Sequence, residues 1–281
     1  MIRGGAFVLA AAAWLAASAG SAQDGAKSRP ARPVADGGLL NNEIDDLLQR
    51  WHDRTSKVSQ LYAEFRRTVT ETAFKTKREN LGKARFRDPN LARMDILANE
   101  KGEGREIFIL SHQPRPRGGA GLEIRHYVVR ERKIQIHEFP NNAVRNAQEE
   151  GPLRLLFGIK PENAHARYSF EILKKTQDAI AIRIIPKLEE DRQEFLEAAL
   201  VLDIATFMPR RLRVKENIQT DVTYDFTQIV TNVDDPKLEV LVTDFDPPKL
   251  PDPKEWKETR QEIRPGKPQG QADSRRPQGG P

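Results

Sequence analysis

His126 and His137 come nearest, by type and spacing, to a reactive or metal-binding arrangement. They lie in two apolar segments, residues 124–129 and 134–139, on either side of Arg130-Glu-Arg-Lys133, which reads as a β-hairpin. A turn centred on Glu131-Arg132 sets His126 opposite His137 and Arg125 opposite Glu138. Directly opposed side chains lie about 5 Å apart at Cβ, so two imidazoles in that register could share a metal. Two ligands are too few for a firm site, and the sequence offers no third donor nearby. A solvent-facing histidine pair is therefore preferred, with Arg125–Glu138 as a modest cross-strand ion pair. No metal and no other cofactor is expected.

The remaining candidates are weaker. Acidic runs occur at Asp45-Asp46, Glu149-Glu150, Glu189-Glu190-Asp191 and Asp234-Asp235, at helix starts or in loops, where solvated charge is the ordinary role. None has the spacing of a calcium loop. The chain has no G-x-S-x-G elbow, no H-E-x-x-H, no phosphate-binding glycine loop and no dinucleotide fingerprint. It has no cysteine, which excludes thiol catalysis, cysteine zinc sites, haem attachment through cysteine and a lipid-modified N-terminal cysteine. The expectation is a protein that is not an enzyme.

The elements that would position a site are mostly strands. Leu40, Ile44, Leu47, Leu48, Trp51 and Val58 recur at helical spacing behind a plausible N-cap at Asn41 or Asn42, giving one amphipathic helix that packs on a sheet. After it, residues 61–65, 84–86, 93–97, 106–110, 124–129 and 134–139 read as strands. Further strands are expected at 168–173, 179–185, 195–203, 209–215 and 221–226. The fold class is mainly β (α+β): antiparallel strands in meander order, curling around one apolar face into an open or closed barrel. Apolar strand positions, Leu61, Phe65, Phe86, Met94 and Ile96, would line that face, and the mouth of such a barrel is a natural ligand site. An ordinary filled core is the alternative.

The ends differ from this middle. Arg3, the apolar run Ala6–Ala17 and small-residue cleavage sites mark residues 1–22 as a secretory signal peptide, too short to span a bilayer. An exported protein follows, periplasmic or otherwise outside the cytoplasm, without an integral membrane segment after cleavage. Residues 23–38 read as a flexible leader, 39–250 as one domain, and 251–281 as a disordered basic, Pro-rich tail whose lone aromatic, Trp256, is expected to be solvated. The chain carries a net charge of +5, but 39–250 holds only +1 of it. Nucleic-acid binding would concentrate positive charge in the folded part, so no nucleic-acid partner is expected. A monomer is expected.

One stretch interrupts the strands. GPLRLLFGIKPENAH, residues 151–165, groups Leu153, Leu155, Leu156, Phe157 and Ile159, with Pro152 suited to a helix start and Gly158 to its end. A second short helix restarts at 161–166. Such pieces cannot bury an apolar side alone. The apolar face or mouth of the barrel is the surface available to the stretch.

The order of these residues resembles LolA, the periplasmic lipoprotein carrier. Ser59-Gln-Leu-Tyr-Ala-Glu-Phe-Arg-Arg-Thr-Val69 resembles that family's opening strand after its first helix, and Phe86-Arg-Asp-Pro-Asn-Leu-Ala-Arg-Met94 its Arg-Pro turn. Gly151-Pro-Leu-Arg-Leu-Leu-Phe157, Arg167-Tyr-Ser-Phe170 and Ile185-Pro-Lys187 follow in register, then Val222-Thr-Tyr-Asp-Phe226 and Phe245-Asp-Pro-Pro248. The resemblance covers roughly 40–250. It implies a strongly curved, incompletely closed antiparallel barrel with an apolar concave face under a helical lid, a fold shared with RseB-like regulators. It implies carriage of lipoprotein acyl chains or another lipid, without enzymatic activity, and points to envelope partners. The family locks its lid with an Arg just before the turn proline. Asp88 intervenes here, leaving Arg87 as the nearest match and Arg93 as a substitute. The longer QPRPRGGAG loop and the tail also depart from the family. A cell-envelope interaction module with a filled core is the alternative function.

Overall fold

The computed structural model describes residues 37–87, 91–114, 120–138, 161–235 and 238–262. Helix α1 (Gly37–Thr55) leads into β1 (Gln60–Glu71), β2 (Thr76–Arg87), β3 (Leu91–Ile96), β4 (Glu106–Pro114), β5 (Ala120–Val128) and β6 (Lys133–Glu138). Then come α2 (Pro161–Arg167), β7 (Tyr168–Lys175), β8 (Ala179–Pro186), α3 (Glu189–Arg192), β9 (Glu197–Asp203), β10 (Pro209–Lys215), β11 (Thr220–Thr231) and β12 (Lys257–Glu262). The strands form one sheet in the order β12-β6-β5-β4-β3-β2-β1-β11-β10-β9-β8-β7. Its two edges, β12 and β7, do not pair, so the curved sheet stays open, the incompletely closed antiparallel architecture implied by the resemblance.

Alternation decides which face each side chain takes. Leu61, Ala63, Phe65, Arg67 and Val69 of β1 share a side with Phe86, Ala84 and Gly82 of β2, their direct partners. From there the same side continues to Ala92, Met94 and Ile96 on β3, and to Leu110, Phe108 and Glu106 on β4. In the other direction it runs through Tyr224, Leu212, Leu200 and Ile182. This side is concave. The α1 residues Ile44, Leu47, Leu48 and Trp51 join Ile96 and Phe108 from one half of the sheet and Ile182, Ile184 and Leu200 from the other in one buried cluster. The expected α1 stripe therefore packs on the sheet. Val58 lies beyond the end of the helix and buries elsewhere.

The convex face carries a feature that the tail's polar composition hid. Residues 238–262 form a strap. Leu238 and Val242 pack on Tyr62 with Phe245 alongside, and Leu250 and Trp256 then pack on Ile107, Ile109, Tyr127, Ile134 and Ile136. The strap ends as β12, parallel to β6, with Lys257 opposite Lys133 and Glu262 opposite Glu138. A structureless segment from residue 251 is thus not what 251–262 show. Trp256 is 9% exposed, with its ring 6.4 Å from that of Tyr127 and Nε1 donating to the Pro251 carbonyl at 3.0 Å. One aromatic on a strand edge suffices to anchor a polar segment, because the backbone of β6 supplies the rest of the pairing.

Candidate functional site

The expected lining residues do share the concave face, in two packed groups. Phe65 and Ile96, with Met94 against them, belong to the cluster that α1 covers. Leu61 and Phe86 belong to a second cluster with Val58, Ala63, Ala92, Leu110, Leu122, Ile124 and Met208, to which none of the described side chains of α1, residues 43–55, contributes. Within it, Ala63 pairs with Ala84 and Phe86 with Ala92. Three alanines thus line the inward side of β1–β3 where larger side chains would otherwise meet. Next to this band the Phe65 ring lies over Gly82, so closely that a Cβ there would overlap it. Phe65 also meets Tyr224 and Phe226 edge to face, with centroids at 5.5 and 6.1 Å.

The histidines are buried, not solvent-facing, and they do not oppose each other. A 3-10 turn at Val129–Glu131, closed by Arg132 in the left-handed region at φ 50°, sets the register. His126 then faces Gln135, and His137 faces Ile124. The expected turn was centred on Glu131-Arg132; the connection Val129–Arg132 is instead centred one residue earlier, on Arg130-Glu131, and that shift leaves the imidazoles diagonal on one face. The same shift removes the Arg125–Glu138 pair. Arg125 bonds Glu123 on its own strand, and Glu138 takes Arg260 of β12 at 2.7 Å. Among the described residues no group of three or more His, Asp or Glu is placed to hold a metal.

His126 belongs to a buried polar network on the concave face. Its ring stacks on Phe108 at 4.0 Å and 10°. Nε2 lies 3.1 Å from a Glu106 carboxylate oxygen, and Nδ1 lies 3.3 Å from the Gln135 amide oxygen. Arg67 donates to Glu106 at 3.3 Å. Burial acts to raise the Glu106 carboxyl, but the hydrogen bond with His126 and the charge of Arg67 outweigh it and hold the carboxyl below its usual range. Glu216, at the β10–β11 turn, is pushed up to about 7 by burial; Arg67 opposes that rise and Glu106 adds to it. His137 has neither ring nitrogen bonded, and burial, with the nearby His126, lowers it to about 4. It therefore stays neutral near pH 7. Arg67, Glu106 and Glu216 were not among the expected site residues. Alternation carried a signal for the first: Arg67 falls on the inward side of β1 between Phe65 and Val69.

The expected lid-locking arginines act on the other face. Arg87 donates to the Val242 carbonyl and stacks on Phe245 at 5.7 Å. Arg93 pairs with Asp95 at 2.9 Å and with Asp244 at 2.8 Å, and donates to the Asp246 carbonyl at 3.0 Å. Both hold the strap on the convex side, because β2 and β3 point their odd-numbered polar residues outward. Leu153, Leu155, Leu156, Phe157 and Ile159, the expected lid, lie outside the described residues, as do the Asp88 turn and the signal peptide. The second short helix is present as α2, whose Ala164 is buried in the α1 cluster.

This arrangement defines a mainly β half-barrel, open at its edges, with an apolar concave face and no catalytic constellation among the described residues. No protein-family model and no curated protein matches the chain. Solved structures with some likeness include a DUF1329 family protein from Desulfovibrio piger, at 9% identity and TM-score 0.38, spanning 68% of this chain and 93% of that one. A LolA superfamily protein from Nitrosomonas europaea aligns at 6% identity and TM-score 0.30, over 66% of this chain and 92% of that one. The Pseudomonas aeruginosa MucA/MucB complex aligns at 13% identity and TM-score 0.36, over 67% of this chain and 57% of that one. At these values the likeness assigns neither ligand nor partner.

Proposed function

We propose that this protein is an exported, non-enzymatic carrier or sensor that binds a lipid or a lipoprotein acyl chain on the concave face. The observation that carries the reading is the second apolar cluster, mostly on β1–β5, which takes none of the described side chains of α1 and contains Ala63 and Ala92 with Ala84 packed against it. An acyl chain lying there gains about 0.8 kcal/mol for each methylene buried, so affinity needs no charged group. Leu61 and Phe86 would flank it, with Phe65, Met94 and Ile96 at the inner end. The lid role of Leu153, Leu155, Leu156, Phe157 and Ile159 belongs to the same proposal: Phe157→Asp should speed ligand release. Residues 1–22 would direct export to the periplasm and be removed there, and the protein would act as a monomer.

The second reading is an envelope interaction module with a filled core. Its support is that Leu61, Phe65, Phe86 and Ile96 are all buried. Ala92→Trp separates the two. In an open trough the indole is tolerated and blocks binding of a fluorescent fatty acid. In a filled core it overpacks and lowers stability by about 1–3 kcal/mol, with no fatty-acid binding to lose.

A further inference from the structure

Two hairpin tips stand side by side at one end of the sheet. The β1–β2 turn and the β10–β11 turn are joined where Glu71 faces Thr220, and the Thr72 amide donates to the Gln219 carbonyl at 2.8 Å. Each tip presents one large apolar side chain to solvent: Phe74 is 74% exposed and Ile218 is 77% exposed. A single exposed apolar residue has no special meaning. Two on adjacent tips need an occupant, since every other described phenylalanine is buried or partly buried against a cluster or the strap.

The surrounding charge says which. Lys75, Lys77 and Arg78 follow Phe74, and Lys215 precedes Ile218, whereas the acidic groups of the two turns are Glu71 and Glu216. Lys77 is engaged by Glu79 at 2.6 Å. Lys75 and Lys215 have no ion-pair partner among the described residues. Burial pushes the Glu216 carboxyl up to about 7. Leu196, whose amide donates to the Lys215 carbonyl, adds a partly exposed apolar shoulder. Separate apolar knobs among long cationic side chains do not form the continuous complementary patch that a protein partner requires. They match a bilayer interface, where apolar groups enter the headgroup layer and Lys or Arg face the phosphates.

We propose that this end of the half-barrel docks on an anionic lipid bilayer, with Phe74 and Ile218 as the inserting residues and Lys75 and Lys215 as the cationic rim. The docking is separate from whatever the concave face holds. The test uses the chain from Gln23 onward, which contains every described element, in co-sedimentation with vesicles. Phosphatidylethanolamine vesicles containing phosphatidylglycerol are compared with phosphatidylcholine alone. Binding is expected to favour the anionic vesicles and to weaken with added salt. The double variant F74S/I218S is expected to lower the partition coefficient on the order of tenfold or more, while F74L/I218L retains it and both keep the parent melting curve. No binding to anionic vesicles, or equal partition of F74S/I218S, overturns the proposal. So does self-association of the parent chain that the double variant abolishes, since the tips would then belong to an interface between copies. Vesicle binding that survives the loss of fatty-acid binding in Ala92→Trp separates this surface from the concave one.

Discussion

Replacing Trp256 by alanine tests the strap most sharply. The indole sits over Tyr127 and among Ile107, Ile109, Ile134 and Ile136, on a segment otherwise made of charged and polar residues. Large aromatic-to-alanine changes in cores cost about 3–5 kcal/mol. Trp256 lies near the sheet edge, so the low end, about 3 kcal/mol, is the expectation. The loss is also capped by the free energy of detaching the strap alone, since a segment that can peel away need not unfold the whole sheet. For a domain of this size, that cost lowers the melting temperature by about 6–12 °C. The assay is thermal unfolding combined with amide hydrogen exchange. Lys257–Glu262 should lose protection first, because their pairing with β6 depends on Trp256 holding the chain in place. The strands β8–β10 should keep theirs. A shift under about 2 °C with unchanged exchange in β12 would refute the reasoning, since the strap would then be held by its backbone pairing and ion pairs alone.

Further predictions address the network, the packing and the arginines. His137 is lowered to about 4 from an unfolded value of 6.5, so its stabilising effect is present above pH 6.5 and is lost as pH falls toward 4. Glu216 is raised to about 7 from 4.5, so its contribution is full below pH 4.5 and is lost as pH rises through 7. The two slopes, each up to about 1.4 kcal/mol per pH unit, oppose each other. Urea unfolding at several pH values should therefore show Glu216→Gln losing stability on acidification from 6.5 to 4.5 more steeply than the parent, and His137→Gln gaining relative to it. Parallel profiles for all three proteins would contradict the network. Gly82→Ala should cost about 1–3 kcal/mol in urea unfolding, because its Cβ would meet the Phe65 ring; a neutral result would mean that the ring moves freely. Arg93→Ala should cost on the order of 2 kcal/mol and raise hydrogen exchange over 238–246, without changing fatty-acid binding. A loss of binding with the strap still protected would return Arg93 to a lid-locking role.

The concave face was readable because strands with one buried side alternate. That periodicity placed Leu61, Phe65, Phe86, Met94 and Ile96 together, and a period of 3.6 did the same for Ile44, Leu47, Leu48 and Trp51. Pairing was less readable. The His126–His137 register depended on which pair centres the turn, Glu131-Arg132 or Arg130-Glu131, and the sequence Arg-Glu-Arg-Lys carries no glycine or asparagine to fix that choice. The beginning of β2, Thr76-Lys-Arg-Glu-Asn, is polar on both sides near the exposed tip, so no alternation marked it as strand. The strap was hidden for another reason. Its pairing is supplied by the backbone of β6, and its burial by Leu238, Val242 and Trp256, which are too widely spaced to show a period. Arg67 breaks the apolar alternation of β1 at an inward position, a signal that passed unread because the expected strand ended at Phe65.

The central claim is that the concave face holds an acyl chain. The most direct measurement is organic extraction of the protein purified from the envelope, with mass analysis of what is released and titration of the stripped protein with a fluorescent fatty acid. The account predicts lipid in near-stoichiometric amount, rebinding of the fatty acid, and loss of both in Ala92→Trp. No extractable lipid together with no fatty-acid binding would contradict it and leave the filled-core interaction module in its place.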